Sequence, residues 1–182
     1  MRSRLAALPL VLLLAAALVG CGGSDSSSSA PESASASSSA TPPQSASSAS
    51  ADVDQTITIQ PKGNQMRYKQ TEFTVAPGQT IKLVFDNTAT SPSMQHNVVV
   101  ITSTKESVFR RVGEGGMSAG STNDYVPEDD AILAYTSMAK PGETVSVTFT
   151  VPEEPGDYGY LCTFPGHWAT MQGTMHVKKS AA

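Results

Sequence analysis

Apolar and polar residues alternate in short runs over the second two thirds of the chain. This period of two is typical of strands that bury one face. Turn signals such as Ala76-Pro77-Gly78 and Lys140-Pro141-Gly142 separate the runs. The predicted strands are residues 56–59, 72–75, 80–85, 98–101, 144–151, 158–162 and 174–178. Many short strands at this spacing predict an all-β fold, an antiparallel Greek-key sandwich or barrel.

One stretch, residues 103–120, departs from the alternating pattern. Val108, Phe109 and Val112 recur there at nearly helical spacing. We therefore expect a crossover between strands that carries one short helix.

Counting by twos also assigns faces to the last two strands. Met175 and Val177 share one face and should be core, which places His176 on the other face as an exposed strand residue. In the preceding strand Tyr160 and Cys162 share a face with Tyr158, so we expect the thiol of Cys162 to point inward.

The N-terminus has the layout of an export signal. Arg2 and Arg4 precede an apolar run over residues 5–19, which is too short for a stable membrane span. Small residues just before Cys21 resemble a bacterial lipobox, in which that cysteine is lipidated and becomes the first mature residue. The alternative is an ordinary signal peptide with Cys21 incidental. Either way we expect an exported domain, and lipidation would anchor it to the cell membrane, on the outer face or the periplasmic side.

Residues 22–52 consist mainly of Ser, Ala and Gly with few large apolar side chains. Such a composition cannot bury enough surface to offset the entropy of ordering, so it predicts a flexible tether with a reach of roughly 30 Å. The expected organisation is a signal peptide at 1–20, a lipidated cysteine and tether at 21–52, and one folded domain at 53–182.

Charge excludes one class of partner. The chain has 12 Lys and Arg against 16 Asp and Glu, a formal net charge of −4, without a basic patch interleaved with aromatic residues. Nucleic-acid binding is therefore not expected. We expect a monomer.

Candidate metal chemistry is concentrated near the C-terminus. Cys162, His167 and Met171 follow the spacing C-x4-H-x3-M on one loop, and His96 lies some seventy residues earlier. Each of these residue types taken alone is more often structural. Together they form a donor set of one thiolate, two imidazoles and a thioether, which suits copper, whereas the thioether disfavours zinc. The prediction is one copper ion that cycles between Cu(I) and Cu(II).

The same residues carry a family resemblance. Cys162-Thr163-Phe164-Pro165-Gly166-His167, then three residues and Met171, resembles the ligand loop of azurins, and Gln95-His96-Asn97 before an apolar run resembles their first ligand strand and that of the auracyanins. The similarity extends over about residues 54–179. It implies a blue, type 1 copper protein of the plastocyanin/azurin (cupredoxin) family, with ligands His96, Cys162, His167 and Met171.

Two departures from azurins stand out. Azurins have a glycine before the first ligand histidine, whose backbone carbonyl approaches the metal as a weak fifth donor. Here that position is Gln95, a candidate weak axial donor through its carbonyl but without the backbone freedom of glycine. Azurins also usually carry a disulfide, which is not possible here if Cys21 is lipidated. Both features make the chain resemble auracyanins more than azurins.

The resemblance also implies roles for neighbouring residues. Asn97 would tie the His96 strand to the Cys162 loop, and backbone N–H groups near Asn97 and Phe164 would donate to the sulfur, with Thr163 in the same surrounding layer. His167 would lie in an apolar surface patch. Trp168 should have little room to turn inward, so we expect it in a docking patch, with Pro165 and Met117 as weaker candidates.

The predicted function is a membrane-tethered carrier of single electrons between redox partner proteins in or at the membrane, respiratory or photosynthetic. The alternative is a periplasmic or extracellular copper carrier or chaperone without electron transfer. A thiol enzyme with Cys162 as nucleophile would leave His96 and Met171 unexplained. A copper oxidase or nitrite reductase would need more histidines than the three present. We do not expect an enzyme.

Overall fold

The computed structural model describes residues 52–179. This part of the chain forms eight strands, one α-helix and one 3₁₀ turn at Ser121–Asn123. The helix is α1, Glu106–Ala119. The strands are β1 Gln55–Ile59, β2 Glu72–Val75, β3 Thr80–Asp86, β4 Val99–Ile101, β5 Ile132–Tyr135, β6 Thr144–Thr150, β7 Gly156–Leu161 and β8 Gln172–Val177.

The strands form two sheets that face each other across a common core. One has the order β1-β3-β6 and the other the order β2-β8-β7-β4-β5. The predicted all-β sandwich with one helical crossover is confirmed. Most pairs are antiparallel, but β1 pairs with β3 and β2 pairs with β8 in parallel. The parallel β1–β3 pair arises because β2, which lies between them in sequence, belongs to the other sheet.

The alternating pattern is what fills the space between the sheets. Ile81, Leu83 and Phe85 point inward from β3, and Met175 and Val177 point inward from β8 as predicted. Each alternate residue on β3 is at least partly exposed. Burial of one face of each sheet is the main source of stability in such a sandwich.

Helix α1 covers the outer face of the five-stranded sheet. Phe109 and Val112 pack in a second cluster with Val99, Ile101 and Leu161. All three residues of β4 are therefore buried, which explains why this strand is an uninterrupted apolar run instead of an alternating one. The predicted helical crossover is confirmed, and the helix begins three residues after the start of the predicted stretch.

Strand β5 is the element that the pattern did not predict. Its sequence Ile132-Leu133-Ala134-Tyr135 has apolar side chains on both faces, and Leu133 and Tyr135 are exposed.

No helix within residues 52–179 has the length and apolarity needed to cross a membrane. The predicted signal peptide, Cys21 and nearly all of the tether lie outside the described residues.

Candidate metal centre

The loop from Cys162 to Met171, called here the Cys–Met loop, is closed at its base by the two residues that bound it. The backbone N–H of Cys162 donates to the carbonyl of Met171 over 3.1 Å. Within the loop, the N–H of His167 donates to the carbonyl of Phe164 over 3.0 Å, with Pro165 and Gly166 between them. Gly166 has a φ of +83°, as the third position of a type II turn requires, and Pro165 favours the second. This turn carries His167 back toward Cys162.

His96 reaches the same place from the other side of the fold. It forms an isolated antiparallel bridge with Ala139: each backbone N–H donates to the other residue's carbonyl, over 3.1 and 2.8 Å. The Asn87 side chain, fully buried, also donates to the Ala139 carbonyl over 2.9 Å. His96 is thereby fixed by backbone contacts just before β4.

The three donor atoms form a small triangle. Sγ of Cys162 lies 3.8 Å from Nδ1 of His96 and 3.8 Å from Nδ1 of His167, and the two nitrogens are 3.1 Å apart. The centre of such a triangle is about 2.1 Å from each corner, close to the ~2.0–2.3 Å of metal bonds to imidazole and thiolate in proteins. These three residues are the group of candidate ligands that residues 52–179 bring together, and all three are buried. The site accommodates one metal ion without rearrangement of the donors.

Burial governs the protonation of these groups in the protein without metal. Desolvation, and secondarily the neighbouring His167, lower the pKa of His96 to about 4, and desolvation also lowers the pKa of His167. Desolvation raises the pKa of Cys162 to about 12. Both imidazoles are thus neutral near pH 7, with a nitrogen lone pair available to a metal. The thiol keeps its proton until a metal ion displaces it.

The hydrogen bonding of the His96 ring also indicates that its Nδ1 is placed to bind a metal. The buried Nε2 has no hydrogen-bond partner, while Nδ1 of the same ring faces the sulfur and His167. The ring packs edge-on against Phe85, with 6.2 Å between ring centroids. An unpartnered buried polar atom is unfavourable, so this orientation places Nδ1 for a metal at the expense of Nε2.

Asn97 connects the strand after His96 to the Cys–Met loop. Its Nδ2 donates to Oγ1 of Thr163 over 2.9 Å, and its Oδ1 accepts from the backbone N–H of Thr163 over 2.9 Å. The backbone N–H groups of Asn97 and Phe164 donate to the sulfur of Cys162, which lowers the pKa of the thiol and partly opposes the effect of burial. These contacts favour a thiolate at this position.

A strained segment on the other side of Asn97 completes this layer. Asp124 and Tyr125 have φ angles of +51° and +55°, which are unusual for residues other than glycine. The strain is offset by hydrogen bonds, because the Asp124 carbonyl accepts from Nδ2 of Asn97 and its carboxylate accepts from the Met138 N–H. The Tyr125 ring packs edge-on against Phe164 at 5.2 Å between centroids.

Tyr68 is a residue of this site that the sequence did not reveal. It is buried in the core with Cys162, and its hydroxyl donates to the Asn97 carbonyl over 2.6 Å. Tyr68 lies between β1 and β2 outside any alternating run, so no periodic signal distinguishes it. Gly113 likewise has no pattern that links it to the site.

The remaining predicted residues differ in how closely they approach the triangle. Met171 is fully buried in the cluster that contains Cys162, and Gln95 is partly buried directly before His96. His176 lies apart from the triangle on β8, where its Nδ1 contacts Asp157 on β7 at 2.6 Å. The prediction that His176 faces away from the core is confirmed, although its side chain is only 21% exposed.

The expectation that Trp168 has little room to turn inward is wrong. The indole is partly buried and packs in the cluster beneath helix α1, against Gly113. The absence of a side chain at Gly113 provides the space. Met117, near the end of the same helix, is 67% exposed, and Pro165 is partly exposed.

Comparisons with known proteins agree with this geometry. The sequence profile described as copper binding proteins, plastocyanin/azurin family, matches residues 55–178. The chain is similar to auracyanin-A of Chloroflexus aurantiacus, with 40% identity over 123 residues that cover 67% of this chain and 74% of that protein. It is also similar to the azurin of Alcaligenes faecalis, with 44% identity over 101 residues that cover 54% of this chain and 77% of that protein.

Solved structures give the same result for the fold. Dithionite-reduced auracyanin from Roseiflexus castenholzii superimposes with a TM-score of 0.62 and 42% sequence identity, covering 68% of this chain and 96% of that one.

Proposed function

The chain belongs to the plastocyanin/azurin family of copper-binding proteins, and from this premise we propose that it carries single electrons through one blue copper centre. The observation that carries the proposal is the buried triangle of Cys162 Sγ and the Nδ1 atoms of His96 and His167. His96, Cys162 and His167 would hold the copper ion, and the thioether of Met171 would supply a fourth, weaker donor. The Gln95 carbonyl is a candidate for a further weak contact.

Bound copper would supply a one-electron couple between Cu(II) and Cu(I). The protein's part is to keep the donors in one arrangement for both states, because ligand rearrangement slows electron transfer. His96 is fixed by its bridge to Ala139, Cys162 by the end of β7, and His167 by the Pro165-Gly166 turn. Asn97 joins these parts to one another through Thr163.

Electrons would enter and leave through His167. Its side chain is buried, with a residue exposure of 5%, but it lies on the loop beside Pro165, Gly166 and Ala169, which reach the surface. We include Pro165, Met117 and the exposed part of Trp168 in the surface that a redox partner would contact. Most of this surface is apolar, as in docking sites that must exclude water.

The proposed location is outside the cytoplasm, with the copper domain tethered to the membrane through a lipid on Cys21. The export signal over residues 1–20 and the small residues before Cys21 support this proposal. A tether with a reach of about 30 Å would let the domain move between redox proteins in the same membrane.

Other functions account less well for the site. A copper carrier needs a site that exchanges its metal readily, whereas His96 and Cys162 are fully buried and come from distant parts of the chain. A thiol nucleophile needs access to substrate and a lowered pKa, whereas burial raises the pKa of Cys162 to about 12.

A redox titration of the copper-loaded protein tests the proposal. An electron carrier should take up one electron per copper, lose its colour, and recover it on reoxidation, with copper retained throughout. A carrier of copper would instead give up the reduced ion to a competing chelator within the same cycle. That second result would overturn electron transfer as the function.

A further inference from the structure

Helix α1 contacts the Cys–Met loop through two residues that are not among the proposed metal ligands. The contact is between Gly113, in the middle of the helix, and Trp168, the residue after His167. A Cβ atom placed on Gly113 would lie 2.2 Å from Cγ and 2.4 Å from Cβ of Trp168. Carbon atoms that are not bonded pack best at about 3.5–4.0 Å, so both of these distances would be severe overlaps. The indole therefore occupies the space that any side chain at position 113 would need.

A second glycine extends the contact along the same helix face. Gly116 lies one turn after Gly113, and a Cβ there would lie 2.5 Å from the backbone carbonyl oxygen of Thr163 and 2.8 Å from that of Tyr125. Thr163 follows Cys162 directly, and Tyr125 belongs to the strained segment beside Asn97. One face of the helix thus contacts both ends of the segment that holds the sulfur and His167.

The helix itself is fixed to the sheet and can act as a support. Phe109 and Val112 pack against Leu161, the residue before Cys162. The Phe109 ring also lies over Gly159 of β7, where a Cβ would be 2.6 Å from its Cζ atom. The helix is thus packed on the strand that delivers Cys162 and on the loop that delivers His167.

We propose that Trp168 is a positioning residue for His167, held in place by Gly113 of helix α1. The proposal rests on the proposed copper function and refines it: the helix selects the conformation of the Cys–Met loop before metal binds. The loop carbonyl of His167 accepts hydrogen bonds from the N–H groups of Thr170 and Met171 over 3.1 and 2.9 Å. Trp168 lies in sequence between His167, whose carbonyl accepts these bonds, and the donors Thr170 and Met171. With its indole held against Gly113, it restrains the turn from outside the ligand set.

The first test uses the metal-free protein, so that its outcome does not depend on copper chemistry. Amide hydrogen exchange of His167 and Met171, whose N–H groups are bonded within the loop, reports how often the loop opens. Trp168→Ala should increase both exchange rates at least tenfold, while exchange in β3 and β6 stays at the wild-type rate. Loop exchange unchanged in Trp168→Ala would overturn the proposal.

The second test asks whether the effect passes through Gly113. Gly113→Ala should shift the visible and electron paramagnetic resonance spectra of the copper-loaded protein, because the new methyl group displaces the indole. Gly115→Ala is the matched control: it makes the same change in the same helix, but its Cβ would meet Pro127 at 3.0 Å and not the loop. Gly115→Ala should keep the wild-type spectra.

The double variant completes the design. In a Trp168→Ala background the methyl group at position 113 has room, so Gly113→Ala should cause no further spectral shift. If Gly113→Ala alone fails to fold, recovery of folded protein by adding Trp168→Ala supports the contact, and failure to recover overturns it. If Gly113→Ala shifts the spectra equally in the wild-type and Trp168→Ala backgrounds, the shift arises from the helix and not from the contact between Gly113 and Trp168. That result would overturn the proposal.

A docking role alone gives a different result and would overturn the proposal. Trp168→Ala would then slow electron exchange with a redox partner but leave loop exchange and both spectra at wild-type values. Failure of the copper function is distinguishable as well, since wild-type protein would then lack the blue spectrum regardless of position 168.

Discussion

At the scale of single residues, the side chain of Asn97 joins two parts of the chain that are distant in sequence. It makes hydrogen bonds to the Thr163 hydroxyl, the Thr163 N–H and the Asp124 carbonyl, all at 2.9–3.0 Å. Because Asn97 and Thr163 are fully buried, water cannot replace the lost partners when the amide is removed.

Asn97→Ala should therefore reduce the free energy of unfolding of the metal-free protein by about 2–4 kcal/mol. The measurement is denaturant unfolding followed by circular dichroism. Asn64→Ala is a matched control, since Asn64 also makes three such bonds, to Thr90 and Ser91, but is exposed. It should lose less than about 1 kcal/mol. Equal losses of stability in the two variants would show that the buried hydrogen bonds of Asn97 stabilise the protein no more than the exposed ones of Asn64 do.

Met171 belongs to the same scale. Removing its thioether by Met171→Leu keeps the buried volume nearly unchanged, so the protein should stay folded, bind copper and remain blue. The reduction potential should rise, on the order of tens of millivolts, because Cu(II) gains more from an axial donor than Cu(I) does. Voltammetry measures the shift. A potential equal to that of the wild type would make Met171 a core residue only.

Single residues were predictable where spacing carried the information. The motif C-x4-H-x3-M marked three positions on one loop, and the structure brings Cys162 and His167 together with His96. Tyr68 could not be found this way, because its hydrogen bond to the Asn97 carbonyl depends on a loop conformation that no residue pattern encodes.

At the scale of elements, close packing between β7 and β8 depends on one glycine. Tyr160 and Gly173 are opposite each other in this antiparallel pair, and the buried ring of Tyr160 lies over Gly173, where a Cβ would be 2.1 Å from Cζ. The Tyr160 hydroxyl donates to the Gln70 carbonyl over 2.7 Å, which holds the ring in this position.

Gly173→Ala should destabilise the protein by about 1–3 kcal/mol or more, because the ring must leave its packed position. Gly156→Ala is the control on the neighbouring strand, where a Cβ would have its nearest neighbour at 3.9 Å. Since alanine is favoured over glycine in a strand, this control should be neutral or slightly stabilising. Thermal unfolding distinguishes the two variants. Similar melting temperatures would contradict the packing described here.

Elements were predictable to the extent that burial is one-sided. Strands such as β3 and β8 alternate and were found, and β4 was found as an apolar run. Strand β5 was missed because Leu133 and Tyr135 are apolar but exposed. The contact of Trp168 with Gly113 could not be predicted either, because a glycine in a helix sequence does not show which side chain packs against it.

At the scale of the whole molecule, the proposed lipid and tether determine where the protein is located, and the folded domain alone determines how it binds copper. Cys21→Ser should move the protein from the membrane fraction to the soluble fraction of the exported pool, because the lipid would supply the membrane affinity. The copper spectrum should be unchanged, since residue 21 precedes the domain by a long Ser/Ala-rich stretch. Fractionation with immunodetection is the measurement. The same distribution for both proteins would reject lipid anchoring at Cys21.

The central claim is that one copper ion is bound by the thiolate of Cys162 together with His96 and His167. The most direct measurement is the visible and electron paramagnetic resonance spectrum of the oxidised, copper-loaded protein, compared with that of Cys162→Ser. The wild type should show the intense blue absorption of a copper–thiolate bond. Cys162→Ser should lose this absorption and keep the circular dichroism of a folded β-sandwich. A colourless wild-type copper complex, or a serine variant that keeps the blue absorption, would contradict the account.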